Sequence, residues 1–95
     1  MNQYESLYII APELDEEAVK ASIEKFSNIV SSNGGTVDAV DEWGTRRLAY
    51  PINYKNEGYY VLMTFTADPT FPKELERNYK IDEGILRYLV TRKEA

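Results

Sequence analysis

Histidine and cysteine are both missing from the 95 residues, and glycine is scarce at five. Without cysteine there is no disulfide framework, thiolate metal site or cysteine nucleophile, which fits a cytosolic address. Without histidine the usual general base and the commonest metal ligand are absent together. No stretch approaches the roughly 20 apolar residues of a membrane span. Met1 to Tyr8 lacks the basic region and apolar run of a secretory leader, so a soluble, unprocessed chain is expected. The one glycine pair, Gly34-Gly35, follows a predicted helix instead of preceding one and so makes no phosphate loop. No motif calls for a metal or another cofactor, and none is expected.

What is present is the composition of a folded domain. Hydrophobic residues make up 43% of the chain and eight of its residues are tyrosine. At this length one hydrophobic core is affordable, so residues 1–95 are expected to form a single domain. The formal charge of -5 argues against non-specific binding of nucleic acid through overall basicity. Its distribution is uneven. Met1 to Glu42 carries nine acidic residues against Lys20 and Lys25, whereas Trp43 to Ala95 carries seven acidic residues against nine basic ones. One part of the molecule can therefore face phosphates while another faces water.

Tyr4 to Ile10, rich in aromatic and β-branched residues and stopped by Pro12, reads as a strand. Its facial parity is open, because Tyr8, Ile9 and Ile10 are apolar on both sides. A helix follows, capped by Asp15, with Val19, Ile23, Phe26 and Val30 on one face and Asn33-Gly34-Gly35 at its end. Thr36 to Asn53 reads as a long extended arm, bent or interrupted near Gly44, with Pro51 suggesting a sheet edge. The polar segment from Asn53 through Asn56 to Gly58 reads as the turn of a hairpin. On the returning strand, Tyr59 to Thr66, the residues Tyr59, Val61, Met63 and Phe65 share one face and Tyr60, Leu62 and Thr64 the other. Asp68 or Thr70 caps a second helix whose buried stripe is Phe71, Leu75 and Tyr79, with Pro72 tolerated in the first turn. Ile85 to Arg92 is the last strand, with Leu86, Tyr88 and Val90 on one side and Ile85, Arg87 and Leu89 on the other.

The order β-α-β-β-α-β with two amphipathic helices predicts an α+β fold, the ferredoxin-like split βαβ sandwich. It comprises a four-stranded antiparallel sheet with two helices on one face, leaving the other face, with Tyr60 and Leu62, for partners.

Candidate chemistry is thin. Asp15-Glu16-Glu17, Asp41-Glu42 and Asp82-Glu83 fall at element ends or turns, where solvated acidic residues are ordinary. The loop after the first strand, Ala11-Pro12-Glu13-Leu14, has no arginine to cradle a phosphate, which argues against a small ferredoxin-like phosphatase. No enzymatic activity is expected. Basic and aromatic residues remain: Arg46-Arg47 with Tyr50, and Arg87, Tyr88, Arg92 and Lys93 near the end. Arginine pairs bidentately with phosphate or stacks on a base, and tyrosine offers a flat ring with a hydrogen-bonding tip, so the set suits folded RNA. The structural alternative is that Tyr50 and Tyr88 are core aromatics and Arg87 a snorkelling edge residue. Trp43 fits either a core plug or a partner anchor.

The run Gly44-Thr45-Arg46-Arg47-Leu48-Ala49-Tyr50-Pro51-Ile52-Asn53, with its lead-in Asp41-Glu42-Trp43, resembles the signature segment of the bacterial small-subunit ribosomal protein S-six family. Tyr4-Glu5, Gly58-Tyr59-Tyr60, Ile81-Asp82 and Ile85-Leu86-Arg87-Tyr88 are similar to the family as well, so the resemblance spans essentially the whole chain. It implies a scaffolding role on the cytoplasmic ribosome: binding the central domain of small-subunit ribosomal RNA together with ribosomal protein S-eighteen. By the same resemblance Arg46, Arg47 and Arg87 are the expected electrostatic contacts with RNA or partner; Arg92 and Lys93, basic residues at the end of the last strand, are expected RNA contacts from the residues alone. Trp43, Leu48, Tyr50 and Tyr60 are the expected partner-protein interface. Asn2 and Gln3 stand where many members have a basic residue, and the chain stops at Ala95 without the tail of some members, so functions of those segments are not carried over. A different class of function, a small-molecule-sensing or dimerising regulatory domain, is also compatible with the expected fold.

Overall fold

A computed structural model of the chain describes residues 1–52 and 54–93. Asn53, read above as a turn residue, and Glu94 and Ala95 lie outside the described residues.

The elements are β1 (Asn2–Ile10), α1 (Glu16–Ser32), β2 (Thr36–Ile52), β3 (Lys55–Ala67), α2 (Phe71–Ile81) and β4 (Ile85–Arg92). The strands form one antiparallel sheet in the order β2-β3-β1-β4, as the split βαβ sandwich requires. Pro51 does lie on an edge strand, where its missing N–H costs no ladder bond.

Local signals set the helix ends. The Asp15 carboxylate accepts from the Ala18 N–H at 2.8 Å, satisfying one of the otherwise orphaned donors of α1. At the other end the N–H groups of Asn33 and Gly34 return to Val30 and Ser31 carbonyls. Asp68 accepts from both the N–H and the hydroxyl of Thr70, ordering the turn that leads into α2. Those hydrogen bonds favour the carboxylate and lower the Asp68 pKa.

Period-two patterning decides what each strand face meets. Val61, Met63, Phe65 and Ala67 of β3 are buried beneath the helices with Tyr4, Tyr8 and Ile10 of β1. The helices return Val19, Phe26 and Val30 from α1 and Phe71, Leu75 and Tyr79 from α2. The parity of β1, which its own residues left open, is settled by register. Tyr8 lies opposite Val61 and Tyr88, which places Leu7 and Ile9 on the other face.

At the centre, the Tyr8, Phe26 and Tyr79 rings meet at centroid distances of 4.5 to 5.3 Å, and Tyr79 also stacks on Tyr88 at 5.4 Å. The Tyr79 hydroxyl hydrogen-bonds the buried Ser6 hydroxyl at 2.6 Å. Burial holds the phenols of Tyr8 and Tyr79 protonated well past the usual tyrosine range.

Two sequence expectations need correction. The turn is not the whole of Asn53 to Gly58. β3 begins at Lys55, with Arg47 opposite Glu57 and Arg46 opposite Gly58. Asn56 and Glu57 are exposed residues of β3, and Glu57 is paired in the ladder, so their polarity reflects solvent and not a turn. Gly58 is buried, and a Cβ there would collide with the Ile9 side chain, so close approach is what requires glycine. In β4 the simple alternation fails at its start. The ladder with β1 shifts between Ile9 and Ile10, so Ile85 packs against the core with Tyr88 and Val90, while Leu86 lies towards Gly58 and Ile9.

Because Tyr79 has a raised pKa in the folded state, its contribution to stability is present below the unfolded value near 10 and falls as pH rises beyond it. Tyr79→Phe is expected to cost about 1 kcal/mol at pH 8 through the lost Ser6 hydrogen bond. It should also lose less stability than the unsubstituted chain between pH 8 and pH 11. Urea denaturation at both pH values is the measurement, and equal alkaline losses in the two proteins would remove Tyr79 from the account.

Candidate RNA and partner interface

The sheet face opposite the helices starts from alternation. Glu5, Leu7 and Ile9 of β1, Tyr60, Leu62 and Thr64 of β3, and Arg87 and Leu89 of β4 point to it. The second half of β2 then does something alternation alone does not dictate. Gly44 sits at φ +84°, in the left-handed region that favours glycine, where the ladder with β3 shifts between Glu42 and Gly44. Trp43 becomes the extra residue of this bulge. Its indole lies nearly parallel to the Tyr60 ring, 9° between planes and 6.3 Å between centroids, and its N–H donates to Asp41 Oδ2 at 3.1 Å. The Arg46 guanidinium stands 5.1 Å from the indole centroid, a cation–π contact.

A second irregularity follows. Between the Arg47–Glu57 and Ile52–Lys55 pairs, Leu48, Ala49, Tyr50 and Pro51 are set against Asn56 alone. The surplus backbone carries this part of β2 over the sheet as an arm. Leu48 is buried, while Ala49 and Tyr50 beside it are exposed. Tyr50 reaches β4, where its hydroxyl accepts a hydrogen bond from Arg87 and its ring centroid lies 5.6 Å from that guanidinium. Arm and sheet enclose a cavity of about 290 Å³ bordered by Leu7, Ile9, Leu48, Tyr50, Tyr60 and Arg87. The face expected to be wholly open is therefore partly covered by the chain itself. What remains uncovered is a groove of about 250 Å³ between Trp43, Leu62, Leu7 and Leu89, with Glu5 and Thr91 at its margin.

Trp43, Leu48, Tyr50 and Tyr60 thus come together around one end of this face. Trp43 and Tyr50 are exposed at 36% and 55%, and Tyr60 is half-buried beneath the indole. The basic residues do not form one patch. Arg87 lies in the transverse row Gly44–Tyr60–Ile9–Arg87, with Arg46 two positions beyond Gly44. Arg47 is exposed on the β2 edge. Arg92 is paired with Tyr4 and donates to Asn2 Oδ1 at 3.3 Å; the Lys93 N–H donates to the Gln3 carbonyl at 2.8 Å. Five strand residues, roughly 17 Å, separate Arg92 from Arg87. Tyr88, by contrast, is half-buried against the core side, as its structural alternative had it.

Sequence reading did not find Asp41 as the indole acceptor, nor Leu7 and Leu89 as groove walls. Alternation carried a signal for the leucines; Asp41 depends on a bulge that no residue pattern locates. Nor did it find the Tyr59 hydroxyl donating to Glu42 at 2.8 Å across β2 and β3, a bond that raises the Tyr59 pKa. Among the described residues no group of three or more acidic side chains converges to hold a metal.

Residues 3–92 match the family model described as Ribosomal protein S6. The chain belongs to the ribosomal protein S6 (S-six) family. A small ribosomal subunit protein bS6 from Clostridium novyi is 54% identical over 94 residues, covering 99% of each chain. Another from Caldanaerobacter subterraneus is 51% identical over 92 residues, covering 97% of each. The crystal structure of 30S ribosomal protein S6 from Thermotoga maritima superposes with a TM-score of 0.92 at 34% identity. It covers 97% of this chain and 87% of that one. Membership in the S6 family makes this chain a structural protein of the small ribosomal subunit, associated with ribosomal RNA in the bacterial cytoplasm, and not an enzyme. It also leaves the regulatory-domain alternative without support.

If the arm is anchored by its own sheet, Leu48→Ala should destabilise the isolated chain by about 2 kcal/mol, the lower range for a buried leucine. Chemical denaturation without any partner would show it. A loss within the ~0.5 kcal/mol of an ordinary surface substitution would mean that Leu48 is held only when a partner covers it.

Proposed function

We propose that this S6-family chain binds the central domain of small-subunit ribosomal RNA jointly with ribosomal protein S-eighteen, residues 1–95 acting as one domain. The observation that carries the proposal is the uncovered end of the sheet face. There a groove of Trp43 and three leucines, with Glu5 and Thr91 at its margin, lies beside Arg46 on the Trp43 ring and the Arg87–Tyr50 pair of the neighbouring cavity, on a molecule whose total charge is -5. Such a surface has apolar area for a protein and too few cations to hold RNA tightly alone.

In this reading Trp43, Tyr60 and Tyr50 meet the partner protein, and Leu48 supports them from beneath. Trp43 and Tyr60 are stacked before any partner arrives, so little side-chain entropy is lost on docking. Arg46, Arg47 and Arg87 contribute phosphate contacts at one end, with Arg92 and Lys93 at the other. Arg87 is oriented by the Tyr50 hydroxyl, which leaves further guanidinium donors for an RNA oxygen. A basic partner supplies the charge this chain lacks, so the two proteins present a composite surface to the RNA.

Titrating a central-domain RNA fragment with this chain at several salt concentrations, with and without S-eighteen, tests the proposal. Binding is expected only with the partner. Replacing Arg46 and Arg47 by alanine together should weaken it and reduce the salt slope by about one per lost phosphate contact. An unchanged slope takes both arginines off the phosphates, and tight, specific binding by the isolated chain overturns the composite surface.

A further inference from the structure

A second basic surface lies on the other side of the sheet from the Trp43 groove. α2 and β4 run antiparallel along one flank. Phe71, at the start of α2, packs edge-on against Phe65, whose neighbour Tyr4 is paired with Arg92; Tyr79, near the end of α2, stacks on Tyr88. Along this flank Lys73, Arg77 and Lys80 follow one another at spacings of four and three, which places them on one helical face. With Glu76 and Tyr88 they line a groove of about 210 Å³.

Of the acidic residues nearby two are engaged, while Glu76, which lines the groove, forms no ion pair among the described residues. Glu74 is held by Arg77 through two hydrogen bonds, at 2.6 and 3.2 Å, and Asp82 by Lys25 at 2.8 Å. Neither Lys73 nor Lys80 forms an ion pair among the described residues. The acidic excess lies elsewhere, with Glu16, Glu17 and Glu24 exposed on α1 and Asp41 and Glu42 exposed on β2. A polyanion approaching this chain is repelled from those surfaces and drawn to the α2–β4 flank. Lys73 and Lys80 are about 10 Å apart along the helix axis, at 1.5 Å per residue.

We propose that the α2–β4 flank is a second ribosomal-RNA contact, in which Lys73, Arg77 and Lys80 hold the phosphate backbone across the mouth of the Tyr88 groove. This rests on the reading of the chain as an RNA-bound component of the small subunit. The contact lies on the helix side of the sheet, so it is independent of the partner-facing groove, and the chain would bridge two RNA segments.

Lysine acylation of the full chain, free and within reconstituted small subunits, is the test, combined with ultraviolet cross-linking of the particle. Lys73 and Lys80 are expected to react several-fold more slowly in the particle, with exposed Lys20 unchanged and a nucleotide adduct on the peptide containing Tyr88. Lysines that react equally fast in both states overturn the flank contact. So does protection accompanied by a cross-link to an acidic protein in place of a nucleotide. Failure of the chain to enter the particle at all would instead overturn the ribosomal-RNA reading on which the flank depends.

Discussion

Tyr8, Phe26 and Tyr79 meet where β1, α1 and α2 come together, and the hydrogen bond between the Tyr79 and Ser6 hydroxyls ties that junction to the central strand. Three large rings in mutual contact give extensive apolar burial, and the Tyr79 hydroxyl, held by Ser6, restricts where its ring can sit. Tyr79 extends the cluster to β4 by stacking on Tyr88. The position of α2 against the sheet, and with it the line of Lys73, Arg77 and Lys80, follows from this contact. Both helices are drawn to one face by the same cluster, which leaves the opposite face to be covered in some other way.

The chain covers part of that face itself. Four residues of β2 set against one of β3 give the arm enough backbone to cross towards β4, where Tyr50 meets Arg87. Leu48 is buried beneath it, and the Trp43–Tyr60 stack stands beside it. The end of the molecule proposed to meet partners is thus a sheet edge modified by two local excesses of backbone, one at Gly44 and one after Arg47. Bulges re-aim side chains without disturbing the pairing on either side, and this is how an otherwise regular sheet presents aromatic and basic groups together.

Charge sorts the remaining surfaces. Acidic residues gather on α1 and the first half of β2, while cations appear beyond Gly44 on β2, on α2 and on β4. The antiparallel wrap places β2 and β4 at opposite edges of the sheet, so the cations are divided between separated places. A modest net charge in each place suits shared recognition of a large RNA particle better than strong independent binding.

Element order, both helix stripes, the Asp15 cap, the core face of β3 and the interruption at Gly44 were all legible in the residues. Each depends on local periodicity or backbone preference acting within a few positions. The family was equally legible, because the segment from Gly44 to Ile52 keeps its order whatever the chain does in space. Tertiary structure decided the parity of β1, the extension of β3 back to Lys55, the shift at Ile85 and the folding of the arm over its own sheet. All of these depend on which strand lies beside which and on how many residues each contributes between paired positions. Pairing between distant segments is a collective property of the packed sheet, and one residue more or less on either side turns a buried side chain into an exposed one.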